Sequence, residues 1–257
     1  MKLQIKKIVT INDIGTWFKY AEPEGGESQW KEGRSAMEFA RYMTSSKEKM
    51  PDEIQHYLDG IGFKEEYTCY PEEVTSFDKK YGTGSGRHHD GLLVSEQYLV
   101  GIEAKVSEAF DKPIKIKIKN ALSNADEGAN MKTRIVESLK TIKPDFKEQD
   151  LDSVGHLMYQ LVSGTVGTII EAQNRNKTRA AFLIIEFAGD VYKEKDYGKN
   201  VNNNQKAYDA FLAFLGLSDK TDKERYIQLD NLKIWINKIK INICKGTYTY
   251  SEKSNKN

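Results

Sequence analysis

A chain of 257 residues with 30% charged and 11% aromatic side chains and a net charge of +1 is long enough to bury a substantial core. The near-neutral balance excludes a strong global field, so nucleic-acid binding must come from local patches, and no apolar run approaches the roughly 18 residues of a membrane span. The cysteines, Cys69 and Cys244, are too few for a disulfide framework or a four-cysteine zinc site, which suits a reducing, cytoplasmic setting.

Residues 1–8 alternate polar and apolar side chains instead of forming a signal-peptide core, and 3–10 read as a strand. Residues 17–33, rich in Glu and Gly, read as a loop. Ser35 opens a helix through Met43, and Ser35-Ala-Met-Glu38 has the form of a capping box in which Glu38 returns to the Ser35 amide. Pro51, Asp52 and Glu53, the apolar Ile54, Tyr57 and Leu58, and a closing Gly60 specify a second short helix, with His56 on its surface. Residues 67–77 mix Thr, Tyr, Val and Phe around Pro71 and read as an irregular strand. The glycine-rich 80–88 lacks the Lys-Ser/Thr ending of a P-loop. It reads as a flexible lead into the next element, from which Arg87, His88 and His89 can touch a phosphate.

That next element is a hairpin. Two β-rich runs, 92–95 and 98–102, flank Glu96-Gln97, the length of a two-residue loop. If Ser95 pairs with Tyr98, Leu92 falls opposite Gly101 and Asp90 opposite Glu103, with Cβ atoms about 4.5–5.5 Å apart. The pleat then points Lys105 to the face of Glu103. Like charges across a ladder repel, and a charged pair ending a buried strand is costly unless paired or metal-bound. A divalent cation such as magnesium, which takes carboxylate oxygens and waters, offsets both. The bland alternative is a turn Asp and a solvated Glu–Lys face. A transition-metal site on His88 and His89 is disfavoured, because neighbours on a strand point to opposite faces and a third ligand would have to come from His156 or His56.

Residues 106–113 read as a loop beginning with Ser107 and Glu108. Residues 114–118 alternate Ile and Lys and read as a strand with Lys115, Lys117 and Lys119 on one side. Such a comb suits a phosphate backbone or an edge strand protected from pairing. Residues 129–142 form a helix carrying Lys132 and Arg134. The longest helical pattern, 153–174, has an apolar stripe of Val154, Leu157, Met158, Leu161, Thr165 and Ile169. Its second stripe, Gln160, Gly164, Gly167 and Glu171, permits close approach of another backbone. Residues 178–187 read as a buried parallel strand reached by that helix, with Glu186 structural. A helix from 202 to 214, closed by Gly216, and strands at 226–229 and 232–243 complete the chain, the last with a phase shift that suggests a bulge.

Asp90, a short hairpin, then Glu103-Ala104-Lys105 resembles the D…(D/E)XK signature of the PD-(D/E)XK, or restriction-endonuclease-like, nuclease superfamily, with His89 where that family places a proline. The resemblance, from about Trp30 through Phe187, implies an α/β fold: a mixed β-sheet with a catalytic hairpin, flanked by helices on both sides. With no internal repeat and no low-complexity linker, the chain reads as one domain over 1–257, with a core at about 30–190, additions at 200–250 and a polar tail at 251–257. By position, Asp90 and Glu103 would ligate Mg2+, or Mn2+ in its place, the Ala104 carbonyl would assist, and Lys105 would orient the attacking water. An acid on the first helix joins the metal in many members, which sets Glu38 against its capping role, and a Gln on the later helix supports the site, which nominates Gln160. The expected function is metal-dependent phosphodiester hydrolysis, with nucleic acid, DNA foremost, as substrate, no membrane partner, and a homodimer as in many relatives. Lys115 and Lys117 join Arg87, His88 and His89 as candidate nucleic-acid contacts. The rival class is an inactive nucleic-acid-binding or protein-interaction member of the same fold.

Overall fold

The computed structural model describes residues 1–5, 9–46, 49–82, 86–106, 108–123, 125–189, 197–244 and 247–250. Part of the 3–10 run, residues 83–85 of the glycine-rich loop, Ser107 and the 251–257 tail lie outside the described residues.

The hairpin is present in the expected register. Strand β4 (Arg87–Val94) runs antiparallel to β5 (Tyr98–Lys105), with Leu92 opposite Gly101. The Ser95 N–H donates to the Tyr98 carbonyl at 3.0 Å and the Tyr98 N–H to Ser95 Oγ at 2.9 Å, so a serine hydroxyl closes a loop that lacks Gly and Asn. On one side β3 (Thr68–Thr75) pairs antiparallel with β4. On the other, β6 (Arg179–Ala188) pairs parallel with β5 and β8 (Leu232–Cys244) parallel with β6. With β1 (Lys2–Ile5), β2 (Val9–Thr10) and β7 (Tyr226–Leu229), the described strands form one mixed sheet in the order β2-β1-β3-β4-β5-β6-β8-β7, and β9 (Thr247–Tyr250) also pairs with β8.

Helices cover both faces. α1 (Ile14–Tyr20), α2 (Ser35–Ser45) and α3 (Asp52–Gly60) pack Trp17, Phe39 and Leu58 against Leu93, Ile102 and Ile185. α5 (Ala125–Ile142), α6 (Tyr159–Asn174) and α7 (Tyr197–Leu215) pack Leu139, Val162 and Phe211 against Leu92, Phe182 and Ile184. Alternate residues of one strand thus enter opposite cores, which is why β5 and β6 read as unbroken apolar runs. All eight residues of β5 are buried, and the polar termini of that strand are buried with it. Close fit also shapes the α6 contact: a Cβ on Gly164 would lie 2.4 Å from the Phe182 ring. A ring occupies the place where another backbone was expected. No described helix is long and apolar enough to cross a membrane.

Four expectations are corrected. Residues 14–20 are helical, not loop, because Asp13 caps the Thr16 N–H at 2.8 Å and Trp17 is driven into the core. The Ile/Lys run at 114–118 is a helix, α4 (Ile114–Ala121), not a strand. Pro113 precedes it, and its first free N–H groups, of Ile114 and Lys115, donate to the Leu157 and Gly155 carbonyls. Ile114 and Ile118, four apart, then share the face turned to the core, while Lys115, Lys117 and Lys119 step around the axis instead of forming a comb. The 153–174 helix begins only at Tyr159, with Val154 and Leu157 buried from a turn segment before it. Finally, β8 has no bulge: its pairing with β6 is continuous from Lys233 to Asn242.

Candidate active site

The β4–β5 ladder ends at Gly91–Ile102 although both strands continue. Where the next backbone bond would stand, Asp90 Oδ2 accepts the Ala104 N–H at 2.6 Å. This termination opens a cleft of about 480 Å3 lined by Glu72, Arg87, Asp90, Glu103, Lys105 and Gln160.

Glu103 is 2% exposed and Lys105 7%. One Glu103 oxygen lies 2.6 Å from Lys105 Nζ and the other holds the Arg87 guanidinium. Burial works to raise the Glu103 pKa, but Lys105 and Arg87 outweigh it and hold the carboxyl below the usual range. Burial likewise works against the Lys105 charge, but Glu103 and Asp90 outweigh it and keep the ammonium protonated above its ordinary range. Asp90 goes the other way: burial and the Glu103 charge push it up to about 7, against the pull of Lys105. Two carboxyls in one cleft thus differ in protonation because only one of them holds both cations.

Glu72, which sequence reasoning passed over, is the third acid of the cleft. Pairings 71–91 and 73–89 bracket it, so it lies across β3–β4 from Asp90 at the rung where pairing lapses, with φ at +49°. Burial and the charges of Asp90 and Glu103 push its carboxyl up to about 9. Eleven residues between β3 and β4 leave their register open in the sequence; only the formed sheet aligns residues 72 and 90.

The remaining candidates separate. Gln160, on the first turn of α6, reaches the cleft, and its Oε1 accepts the Asp111 N–H at 3.1 Å. His88 lines the cleft. His89 is fully buried against Thr75 Oγ1 at 3.0 Å, and burial holds its imidazole well below the ordinary range, so it stays neutral and away from solvent. Lys117 pairs with Asp111 and lies over the Tyr159 ring, while Lys115 is exposed on α4. Glu38 does not return to the Ser35 amide, and it is not among the residues that line the cleft. The helix starts one residue earlier than the capping box requires, with Arg34 as N-cap. Glu38 accepts the Gly33 N–H at 3.0 Å and pairs with Arg41 at 3.2 Å, and the Ser35 N–H donates instead to Glu108.

Two further residues shape the cleft without a sequence signal. Glu108 ties the loop after β5 to α2 through the Ser35 and Val106 N–H groups. Asn204 of α7, 2% exposed, accepts the Phe110 N–H and donates to the Glu108 carbonyl, both at 2.9 Å. Glu186, read as structural, pairs with Lys238 at 3.3 Å beside a separate cavity of about 590 Å3 against α7.

The carboxylates supply the hard oxygens that magnesium takes. Among the described residues no three metal-binding side chains enclose a common point, so Glu72, Asp90 and Glu103 line one cleft without forming a closed cage.

Neither the curated proteins nor the solved structures give a match to the chain. A family model described as a domain of unknown function, DUF6946, matches residues 10–244, and the chain belongs to that family.

Proposed function

We propose that the protein is a metal-dependent nuclease that hydrolyses phosphodiester bonds, DNA being the favoured substrate. The observation that carries this reading is the convergence of Asp90, Glu103 and Lys105 where the hairpin ladder ends, with the Asp90 carboxylate locked onto the Ala104 N–H. The element order supports it: α2, then β3-β4-β5 antiparallel, then α6 crossing to parallel β6, is the sequence of elements that a restriction-endonuclease-like core calls for.

Asp90, Glu103 and the Ala104 carbonyl would hold Mg2+, or Mn2+ in its place, and the ion would neutralise charge developing on the scissile phosphate. Lys105, kept protonated by Glu103 and Asp90, acts as a fixed cation that aligns water and phosphate and does not accept a proton. Gln160 holds the 108–111 segment through Asp111, so the wall facing Lys105 stays in place. We place the enzyme in the cytoplasm, where the buried Cys69 remains a free thiol, as a monomer or a homodimer.

One observation favours the second reading, a non-catalytic nucleic-acid-binding or protein-interaction member: both oxygens of Glu103 are already held by cations. Incubation of supercoiled plasmid with the wild type and with Asp90→Ala, in Mg2+, Mn2+ and EDTA, separates the two. Cleavage that needs the metal and is lost in the variant supports the nuclease. Retention of DNA by both proteins with no cleavage under any condition would overturn it.

A further inference from the structure

Each Glu103 oxygen is already held by a cation, so a divalent ion arriving there has to share an oxygen with one of them or displace it. Lys105 lies two residues along the same strand and is buried with Glu103, so its hold is fixed by β5 itself. Arg87 comes from the neighbouring strand, beyond the point where the ladder stops. Its stem lies against α6 where residue 167 is glycine; a Cβ there would come within 2.8 Å of Arg87 Cγ. Its Nε is buried and without a hydrogen-bond partner, so the guanidinium is held from one end only. A buried donor without a partner is costly, so the contact with Glu103 leaves bonding capacity of the guanidinium unused.

We propose that Arg87 is a resident cation standing in for the divalent ion at Glu103, and that the ion and the guanidinium compete for that carboxylate oxygen. This rests on the metal-dependent reading above. Charge balance gives the reason. Two cations, Arg87 and Lys105, already balance the two carboxylates Asp90 and Glu103 in the cleft. A divalent ion added to that set brings an excess of positive charge, and moving one cation away from Glu103 reduces it. Arg87 is the cation that can leave. Arg87 lines the cleft together with His88, so a guanidinium freed from Glu103 would offer a planar fork of donors that matches the two free oxygens of a phosphate. The stand-in keeps Glu103 ionised and satisfied without metal, and delivers a phosphate-binding group when metal arrives.

Isothermal titration of Mn2+ into wild type, Arg87→Ala, Arg87→Lys and Glu103→Gln at mildly alkaline pH tests this. Removal of the competitor should tighten Mn2+ binding by about tenfold, the factor of one partly screened charge, and Arg87→Lys should fall between. Millimolar guanidinium chloride, far below denaturing concentrations, should weaken Mn2+ binding by Arg87→Ala back toward the wild-type value. Glu103→Gln should lose the binding. If the alanine variant does not fold, Arg87→Lys carries the test with a gain of a few fold. A folded Arg87 variant that binds Mn2+ no more tightly than a metal-binding, DNA-cutting wild type overturns the stand-in and leaves the nuclease reading intact. Absence of Mn2+ binding in every variant overturns both.

Discussion

Glu72 faces Asp90 across the β3–β4 ladder at the rung where pairing lapses, and the backbone of Glu72 is left-handed there. Two neighbouring strands therefore lose their regular pairing at the same level, one on either side of Asp90, and the carboxylates fill the space that backbone bonds vacate. A site made this way is buried, polar and costly to the fold, and the costs can be measured.

Removal of the Glu103 carboxylate should be the most damaging single change in the cleft. Glu103→Ala leaves Arg87 and Lys105 facing each other in a site where Lys105 is 7% exposed. Loss of one partner from a buried ionic set costs about 3–5 kcal/mol. Urea unfolding should show the midpoint falling accordingly, and Glu103→Ala combined with Arg87→Ala should recover part of the loss. Equal midpoints for Glu103→Ala and wild type would contradict the buried charge set.

The pH dependence of stability follows from Asp90, which is pushed up to about 7. An unfolded Asp titrates near 3.9, so between about pH 4 and about pH 7 the folded protein keeps a proton that the unfolded chain has lost. The contribution is complete below pH 4 and is lost as pH rises through 7; Glu72, pushed up to about 9, extends the decline. Asp90→Asn removes the Asp90 part while its amide oxygen can still accept the Ala104 N–H. Melting temperatures measured from about pH 5 to about pH 8 should therefore fall more steeply for wild type than for Asp90→Asn. Parallel curves would show that Asp90 titrates normally.

Asn204 anchors the cleft wall from α7. Asn204→Leu leaves the Phe110 N–H and the Glu108 carbonyl without their partner, a cost of about 1–3 kcal/mol for buried groups. It should lower stability and raise KM for DNA more than it lowers kcat, since it loosens the segment carrying Glu108 and Asp111 and leaves the acids in place. A variant with unchanged stability and KM would show that the loop holds itself.

Gly167→Ala tests how tightly the rear of the cleft is packed. The added methyl would meet Arg87 Cγ at 2.8 Å and His89 Nε2 at 2.9 Å, and overpacking of this kind costs about 1–3 kcal/mol. Because it pushes on Arg87, it should also change Mn2+ affinity in the direction of Arg87→Ala. Gly60→Ala, with nothing within 4 Å of the new methyl, serves as the control and should change neither quantity.

The hairpin was legible because a two-residue loop leaves one register open: fixing Ser95 against Tyr98 fixes Leu92 against Gly101. Strand β6 was legible because nine of its ten residues are buried, and a strand covered on both faces admits almost no polar positions. α3 was legible through Pro51, its first-turn acids and Gly60. Local chemistry set these elements, and local chemistry is written in consecutive residues. The Ile/Lys run misled for the same reason. A period of two is also compatible with a helix that uses only Ile114 and Ile118, and the choice was made by the carbonyls of Gly155 and Leu157, some 40 residues away.

The sequence by itself determined that two acids and a lysine would gather at the open end of one hairpin. Only the tertiary structure decided which partners they keep. Glu72 reaches Asp90 through a strand pairing whose register no short loop constrains, Arg87 reaches Glu103 because the ladder between their strands stops, and Asn204 reaches the 108–110 loop from a helix 94 residues further on. Electrostatic partners act through space, so the protonation of Asp90 and the occupancy of Glu103 belong to the assembled sheet and to no segment of the chain.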